Sequence, residues 1–460
     1  MNPWSMRFIR GIIAIALIVQ LHQARVAAQT ETTQPKSDSE AVEADAAKSE
    51  ADAAKPEATV SARRSLAIEE AFENLRHKKF GVRQAATQHL ANAGLPVLPR
   101  LEASALTGDV DFQNKCISII SAIGQKMSAL DQAVAALERL SNDPSFNLAG
   151  KAAEELSRLK KYQVVRAIRL LKEAGVQVNQ NTTSGEVYYV RNLTRNEQCE
   201  HLKHFPSLSS LTLHGSGVTK ACIESLSKLP NLRQIYLYST NISPQGIAEL
   251  KLIPNFTSLS IWGNYSVAHI KALAEVKQLS TVHFYSPVGD KELIAAATLQ
   301  VPQLSFASFS PSANTAEIIG TAKANKLQFS LSNIQNDDLK WLSGSKPPPL
   351  NININNSKDV TDDGIRFLEN ANIATLSLYN TGITAKSMKQ IGTLKNLQSL
   401  MITNSPIDDE SLKHLSDLQQ LGSLRLQGTK VTGEGMATLK ENLKNLRYTS
   451  PAPTPKKPVK

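Results

Sequence analysis

The sequence predicts an α/β solenoid, a horseshoe-like stack of about ten to eleven short repeats preceded by an all-α block. The first observation behind this is a cadence. The segments LSSLTL (208–213), LRQIYL (232–237), FTSLSI (256–261) and LSTVHF (279–284) start 23 or 24 residues apart, as do IATLSL (373–378), LQSLMI (397–402) and LGSLRL (421–426). The second is alternation inside each segment, which places Leu211 and Leu213, Ile235 and Leu237, Leu259 and Ile261, and Val282 and Phe284 on one side of a short strand. The third is a change of period upstream. There SLAIEEAFENLRH (65–77), GVRQAATQHLANA (81–93), DFQNKCISIISAIG (111–124) and ALDQAVAALERLS (129–141) space apolar residues by three and four, as amphipathic helices do.

The ends are not part of this fold. Arg7 and Arg10 precede an apolar run from Gly11 to Leu21, and Val26-Ala27-Ala28 supplies small residues for cleavage, so residues 1–28 read as a secretory signal peptide. The run is shorter than the roughly 20 residues a membrane span needs, so no membrane span is expected once it is cleaved. Residues 29–62 lack aromatics and carry eight acidic residues against three lysines, which predicts a disordered linker. Residues 450–460 (SPAPTPKKPVK) form a proline-rich basic tail. The net charge of +10 is dispersed rather than gathered into a stripe with interleaved aromatics, so a nucleic-acid partner is not expected. The expected location is secreted, periplasmic or cell-envelope.

Residues 63–175 form the helical block. Its stretch from Phe80 to Gly124 resembles a HEAT-type helical repeat. Arg83, Ala85, Ala86 and Leu90 suit the first helix, Gly94-Leu95-Pro96 the break, and Leu98, Leu101 and Leu106 the second helix. The helix near Tyr162 to Ala174 is expected to cover the first turn of the solenoid, whose apolar end needs a cap.

The solenoid is assigned to residues 176–449. Three positions after the last strand leucine stand mostly hydroxyls: Ser216, Thr240, Asn264, Ser357, Thr381, Ser405 and Thr429. A short hydrogen-bonding group there can satisfy backbone where the chain leaves the sheet. An aliphatic residue follows (Val218, Ile242, Ile383, Ile407, Val431), then a helix opened in two repeats by Asp362-Asp363 and Asp408-Asp409, where carboxylates favour exposed N–H groups. With units such as GSGVTKACIESLSKLPNL, NTGITAKSMKQIGTLKNL and GTKVTGEGMATLKENLKNL, the chain resembles exported bacterial leucine-rich repeat proteins of the ribonuclease inhibitor-like or cysteine-containing subtype. The resemblance implies a binding fold and says little about the partner. The pattern falters between Val301 and Leu350, where leucines thin out and Pro347-Pro348-Pro349 precede NININN. Irregularity is expected there.

Candidate binding residues are the outward strand positions of the middle repeats: Tyr236, Tyr238, Trp262, His283 and Tyr285, with Phe306 following. Only 5% of the chain is aromatic, so their gathering on the concave face marks it as a binding surface for a protein or a cell-surface polymer. Later repeats offer Asn351, Asn353, Asn355, Tyr379, Arg425 and Gln427. No phosphate loop, nucleophile elbow or HExxH helix occurs, so neither catalysis nor a cofactor or metal is expected. His201 and His204 read as solvated helix residues. Cys199 and Cys222 fall at neighbouring positions of successive repeats, so an exported chain could pair them. Helix axes about 8–10 Å apart favour the other reading, separate small residues in the core. The expected function is a non-enzymatic recognition scaffold, with a structural spacer of the cell envelope as the alternative.

Overall fold

A computed structural model describes residues 63–449 apart from 64, 127, 264, 344–347, 444 and 447. The segments expected to be a signal peptide, an acidic linker and a basic tail lie outside the described residues. The described residues divide into two compact units, one ending at Ala93 and the other beginning at Gly94. The first holds a helix over residues 65–74 and α1 (Phe80–Ala93). The second begins with α2 (Leu98–Thr107), α3 (Val110–Gly124), α4 (Leu130–Ser141) and α5 (Phe146–Glu173). The two helices paired in the HEAT-like reading fall on either side of that division.

In the second unit α3 and α4 fall where the apolar spacing places them, whereas α5 begins at Phe146, well before the expected Tyr162. Asp109 caps α3 by accepting from the Phe112 N–H, and α3 then buries Ile117, Ile119, Ile120 and Ile123. The buried Glu155 carboxylate on α5 accepts from Ser121 of α3 at 2.7 Å and is flanked by Lys151 and Arg158, so the charge is paired. Ala167 and Leu171, near the end of α5, join the same apolar core as Val176 and Val190, and thus close the first turn of the solenoid.

The solenoid is one open sheet in simple sequence order. Its strands are β1 (Gln177–Gln180), β2 (Val187–Leu193), β3 (Ser210–His214), β4 (Gln234–Tyr238), β5 (Ser258–Trp262), β6 (Thr281–Phe284) and β7 (Gln303–Phe306). They continue with β8 (Lys326–Ser332), β9 (Leu350–Asn355), β10 (Ile373–Tyr379), β11 (Ser399–Thr403), β12 (Ser423–Gln427) and β13 (Tyr448–Thr449). β1 pairs antiparallel with β2, and every later pairing is parallel. Short helical segments connect the parallel strands, from four residues (Asp362–Ile365) to ten (Gly433–Asn442). This is the leucine-rich repeat solenoid that the cadence predicts.

The irregular stretch is a register step. Inward residues run Leu304, Leu327, Leu350 in one column and Phe306, Phe329, Ile352 in the next. From β9 to β10, Leu376 faces Ile352 and Leu378 faces Ile354, so the pattern has moved by one dipeptide. The extra inward pair Leu331 and Ile354, both fully buried, lengthens β8 and β9 to allow it. A step of two keeps every side chain on its own face, whereas a step of one would turn the core outward. Pro349 has no N–H to donate at the start of β9, and its carbonyl accepts from Leu327 N instead. KLQFSLS (326–332) alternates cleanly and is the strand the sequence reading passed over.

The turn hydroxyls do not act as expected. Ser357 bridges Ile334 N and Asn355 O, but the buried hydroxyls of Thr381, Ser405 and Thr429 have no hydrogen-bond partner. The demand at the strand exit falls earlier, on the backbone. Gly215, Ser239, Gly263, Asn333, Asn356, Asn380, Asn404 and Gly428 all have positive φ, which Gly and Asn tolerate best.

Repeats are stitched one residue into each helix. Asn196 accepts from Thr219 N and donates to its hydroxyl, and Asn336 does the same with Thr361. Asp362 accepts from Thr384 N, the Thr384 hydroxyl and the Ser387 hydroxyl, and Asp409 accepts from the N–H and hydroxyl of Thr432. Of the two aspartate pairs, then, Asp408 caps its own helix through Ser411 N, while Asp362 and Asp409 reach into the next repeat. Gly364 and Gly435 make room for this. A Cβ there would stand 2.4 Å from the Asn336 Oδ1 and 2.1 Å from the Asp409 Oδ1.

Cys199 and Cys222 form a disulfide, with Cα atoms 5.4 Å apart. The expectation of separate core residues fails because helix axis separation overstates the distance between facing Cα atoms. A Cα lies about 2.3 Å off its axis, so Cα atoms facing each other across axes about 8–10 Å apart come within roughly 4–5 Å, inside disulfide reach.

Candidate functional site

The face of the sheet turned away from the helices is built from alternate strand residues, and register decides which of them meet. Thr212, Tyr236, Ser260, His283 and Ser305 lie in one row across β3 to β7. His214, Tyr238 and Trp262 lie in the next, at the ends of β3, β4 and β5. Tyr285 continues that row one residue beyond β6, where its N–H donates to Ile261 O.

Strand spacing of about 4.8 Å brings the second row into stacking range. Ring centroids are 6.0 Å apart for His214 and Tyr238, 4.2 Å for Tyr238 and Trp262, and 3.6 Å for Trp262 and Tyr285. The last two pairs are within 16° and 8° of parallel. Trp262 is therefore covered on both ring faces, and the column stands on edge, its rims toward solvent. Tyr236 flanks it, 6.2 Å from Trp262, and Tyr189 lies 6.5 Å from Tyr236. Beneath these rings the small residues Thr212 and Ser260 are buried, and the Tyr189 hydroxyl hydrogen-bonds the Thr212 hydroxyl at 3.0 Å. Arg191 sits over the Tyr189 ring, 4.3 Å from its centre.

Five of the six expected residues, Tyr236, Tyr238, Trp262, His283 and Tyr285, are thus half-buried neighbours on one face. Phe306 is not among them. It is 1% exposed and points into the core, stacked between Phe284 at 5.5 Å and Phe329 at 5.2 Å. The alternation that turns Phe284 inward turns Phe306 inward as well, since the two are register partners. The outward residue there is Ser305. His214, Tyr189 and Arg191 were missed. His214 was legible, because it follows Leu213 as Tyr238 follows Leu237.

Burial pushes the phenols of Tyr236, Tyr238 and Tyr285 above their ordinary value, so they remain hydrogen-bond donors at neutral pH. Burial likewise lowers His283, which favours its neutral form. Further along, Asn351 is buried with its Oδ1 unpartnered, Asn353 and Asn355 are half-buried, and Tyr379 is 43% exposed.

A second group lies where α5 meets the first repeat. Asp131, Gln163, Arg166, Glu200, His201, Lys203 and His204 line a cleft of about 120 Å³. His201 and His204 are half-buried rather than solvated, and burial followed by nearby Arg166 and Lys203 lowers them. Among the described residues no three His, Cys, Asp or Glu side chains converge as a metal site would require. No described helix is long and apolar enough to cross a membrane.

No protein-family model matches the chain, and no curated protein does. Solved structures do. An internalin, inlF of Listeria monocytogenes, aligns with 64% of this chain and 95% of its own at 14% identity and a TM-score of 0.33. A structure described as a TLR13–ssRNA13 complex aligns at 21% identity and 0.34, covering 54% of this chain and 40% of the other. Internalin C2 of the same Listeria aligns at 17% identity and 0.21, covering 55% and 84%. At these identities the likeness reaches no further than fold.

Proposed function

We propose that the chain is a non-enzymatic recognition scaffold that works outside the cytoplasm and holds a protein partner on the concave face of its sheet. The stacked column His214–Tyr238–Trp262–Tyr285 carries this reading. Large rings preorganised by stacking lose little conformational entropy when a partner covers them, and such residues dominate the energy of protein interfaces. The Cys199–Cys222 disulfide supports the extracytoplasmic part, because structural disulfides persist in oxidising compartments. Replacing Tyr236, Trp262 and Tyr285 together by alanine tests the reading. Capture of partners from a cell-envelope extract is expected to fall to background, and unchanged capture would refute it. Deletion of whole repeats outside the column separates this role from that of a spacer. A recognition protein keeps its partner after such a deletion, whereas a spacer loses its function.

A further inference from the structure

The reading above leaves the partner's chemistry open, and three features of the same face narrow it. The first is ring orientation. Sugars and nucleobases bind aromatic side chains by lying flat on an exposed ring face. Trp262 has Tyr238 on one side and Tyr285 on the other, and Tyr238 has His214 and Trp262. Only the ends of the column, His214 and Tyr285, keep a face that no described ring covers. What the column offers to solvent is ring edges, which carry the positive side of the aromatic quadrupole, together with the raised-pKa hydroxyls of Tyr238 and Tyr285.

The second is charge. Among the described residues, no strand of the sheet carries an aspartate or a glutamate, whereas β2, β8 and β12 carry Arg191, Lys326 and Arg425. Strand propensity does not account for this. It disfavours asparagine as it does aspartate, yet β9 holds Asn351, Asn353 and Asn355. The chain has 41 acidic residues, and the sheet excludes them all. The third is the rim. The loops entering β4, β6, β8 and β11 carry Lys228, Arg233, Lys277, Lys323 and Lys395, against Glu186, Glu369 and Asp417 in the loops entering β2, β10 and β12, so the balance nearest the column is basic.

We infer that the partner segment received by this face is an acidic polypeptide. Its carboxylates would meet the ring edges and tyrosine hydroxyls of the column, with Arg191 on one flank and Lys326 on the other. This inference rests on the proposed recognition role and adds the sign and class of the ligand to it. Complementary potentials of this kind set specificity and the salt dependence of association.

The test uses the mature chain and two fluorescent peptides of equal length, one alternating glutamate with serine and one alternating glutamine with serine. Binding is read by anisotropy at low and at physiological salt. The glutamate peptide is expected to bind about tenfold or more tighter than the glutamine peptide, and to weaken as salt rises. Arg191→Glu combined with Lys326→Glu, checked for folding by circular dichroism, is expected to lose that preference. The salt series on the unaltered chain gives the same answer should the variant misfold. Equal binding of the two peptides, both weakened by Trp262→Ala, overturns the acidic assignment and leaves the recognition face standing. Trp262-dependent binding of a neutral oligosaccharide or a single-stranded oligonucleotide, with neither peptide bound, overturns the acidic assignment too. If Trp262→Ala alters binding of no probe and no envelope protein, the recognition face falls, and the inference with it.

Discussion

Reducing the Cys199–Cys222 bond should loosen the first two repeats without unfolding the rest. The cysteines are separated by 23 residues, and both are fully buried. Closing a loop of that length removes about 3 kcal/mol of chain entropy from the unfolded state. Cysteine and alanine differ little in volume, so a Cys199→Ala, Cys222→Ala variant isolates the crosslink from the packing. Stability in a repeat array is local, each unit resting on its neighbours, so the loss should appear in residues 196–226 and at the end of α5, where Ala167 and Leu171 pack. Three kilocalories correspond to roughly a hundredfold change in a local opening equilibrium. Native-state hydrogen exchange reads this directly. Amides of Lys220–Leu226 are expected to exchange about a hundredfold faster in the variant, while those of Ser399–Thr403 are unchanged. Protection equal within about twofold in both forms would refute the reasoning, as would thiol titration finding three free cysteines in the natively purified chain.

The Phe284–Phe306–Phe329 stack places Phe306 in the core, so Phe306→Ala should cost roughly 3–5 kcal/mol in urea unfolding, whereas Trp262→Ala on the open face should cost less and impair binding instead. Gly435→Ala sets a methyl group against the Asp409 carboxylate and should destabilise the last repeats by about 1–3 kcal/mol. Asp409→Ala relieves that clash but loses both bonds to Thr432, so the double variant is not expected to return to wild-type stability in thermal melts. Acid should loosen the junction of α5 with the first repeat. His201 and His204 titrate below the ordinary 6.5 in the folded chain, so the unfolded chain takes up protons first. Their stabilisation is present above pH 6.5 and is lost as pH falls through the lowered folded values. The cleft also holds Arg166 and Lys203 against Asp131 and Glu200, so replacing both histidines by glutamine should flatten the pH dependence of exchange in Ala167–Leu171 between about pH 7 and 5.

The period of 23 or 24 residues and the alternation within each segment were enough to determine the architecture, because a repeat that cannot bury its own apolar face must stack on a copy of itself. The same alternation set the two faces of each strand, and it identified Tyr236, Tyr238, Trp262, His283 and Tyr285 as neighbours. Applied consistently it would have turned Phe306 inward beside Phe284. Tertiary structure decided what depends on distance between repeats. Whether Cys199 meets Cys222 rests on a Cα separation of a few ångströms, which residue spacing does not encode. The hydrogen bonds from Asn196, Asn336, Asp362 and Asp409 to the next repeat, and the glycines that admit two of them, follow from how closely successive helix starts approach. The register step across β8 and β9 also needed the fold, since sequence shows alternation within a strand but not which partner a strand chooses. The aromatic column belongs to both levels. Sequence places the rings in one row, and only the stacking distances show that their faces are spent on one another and that their edges remain for a partner.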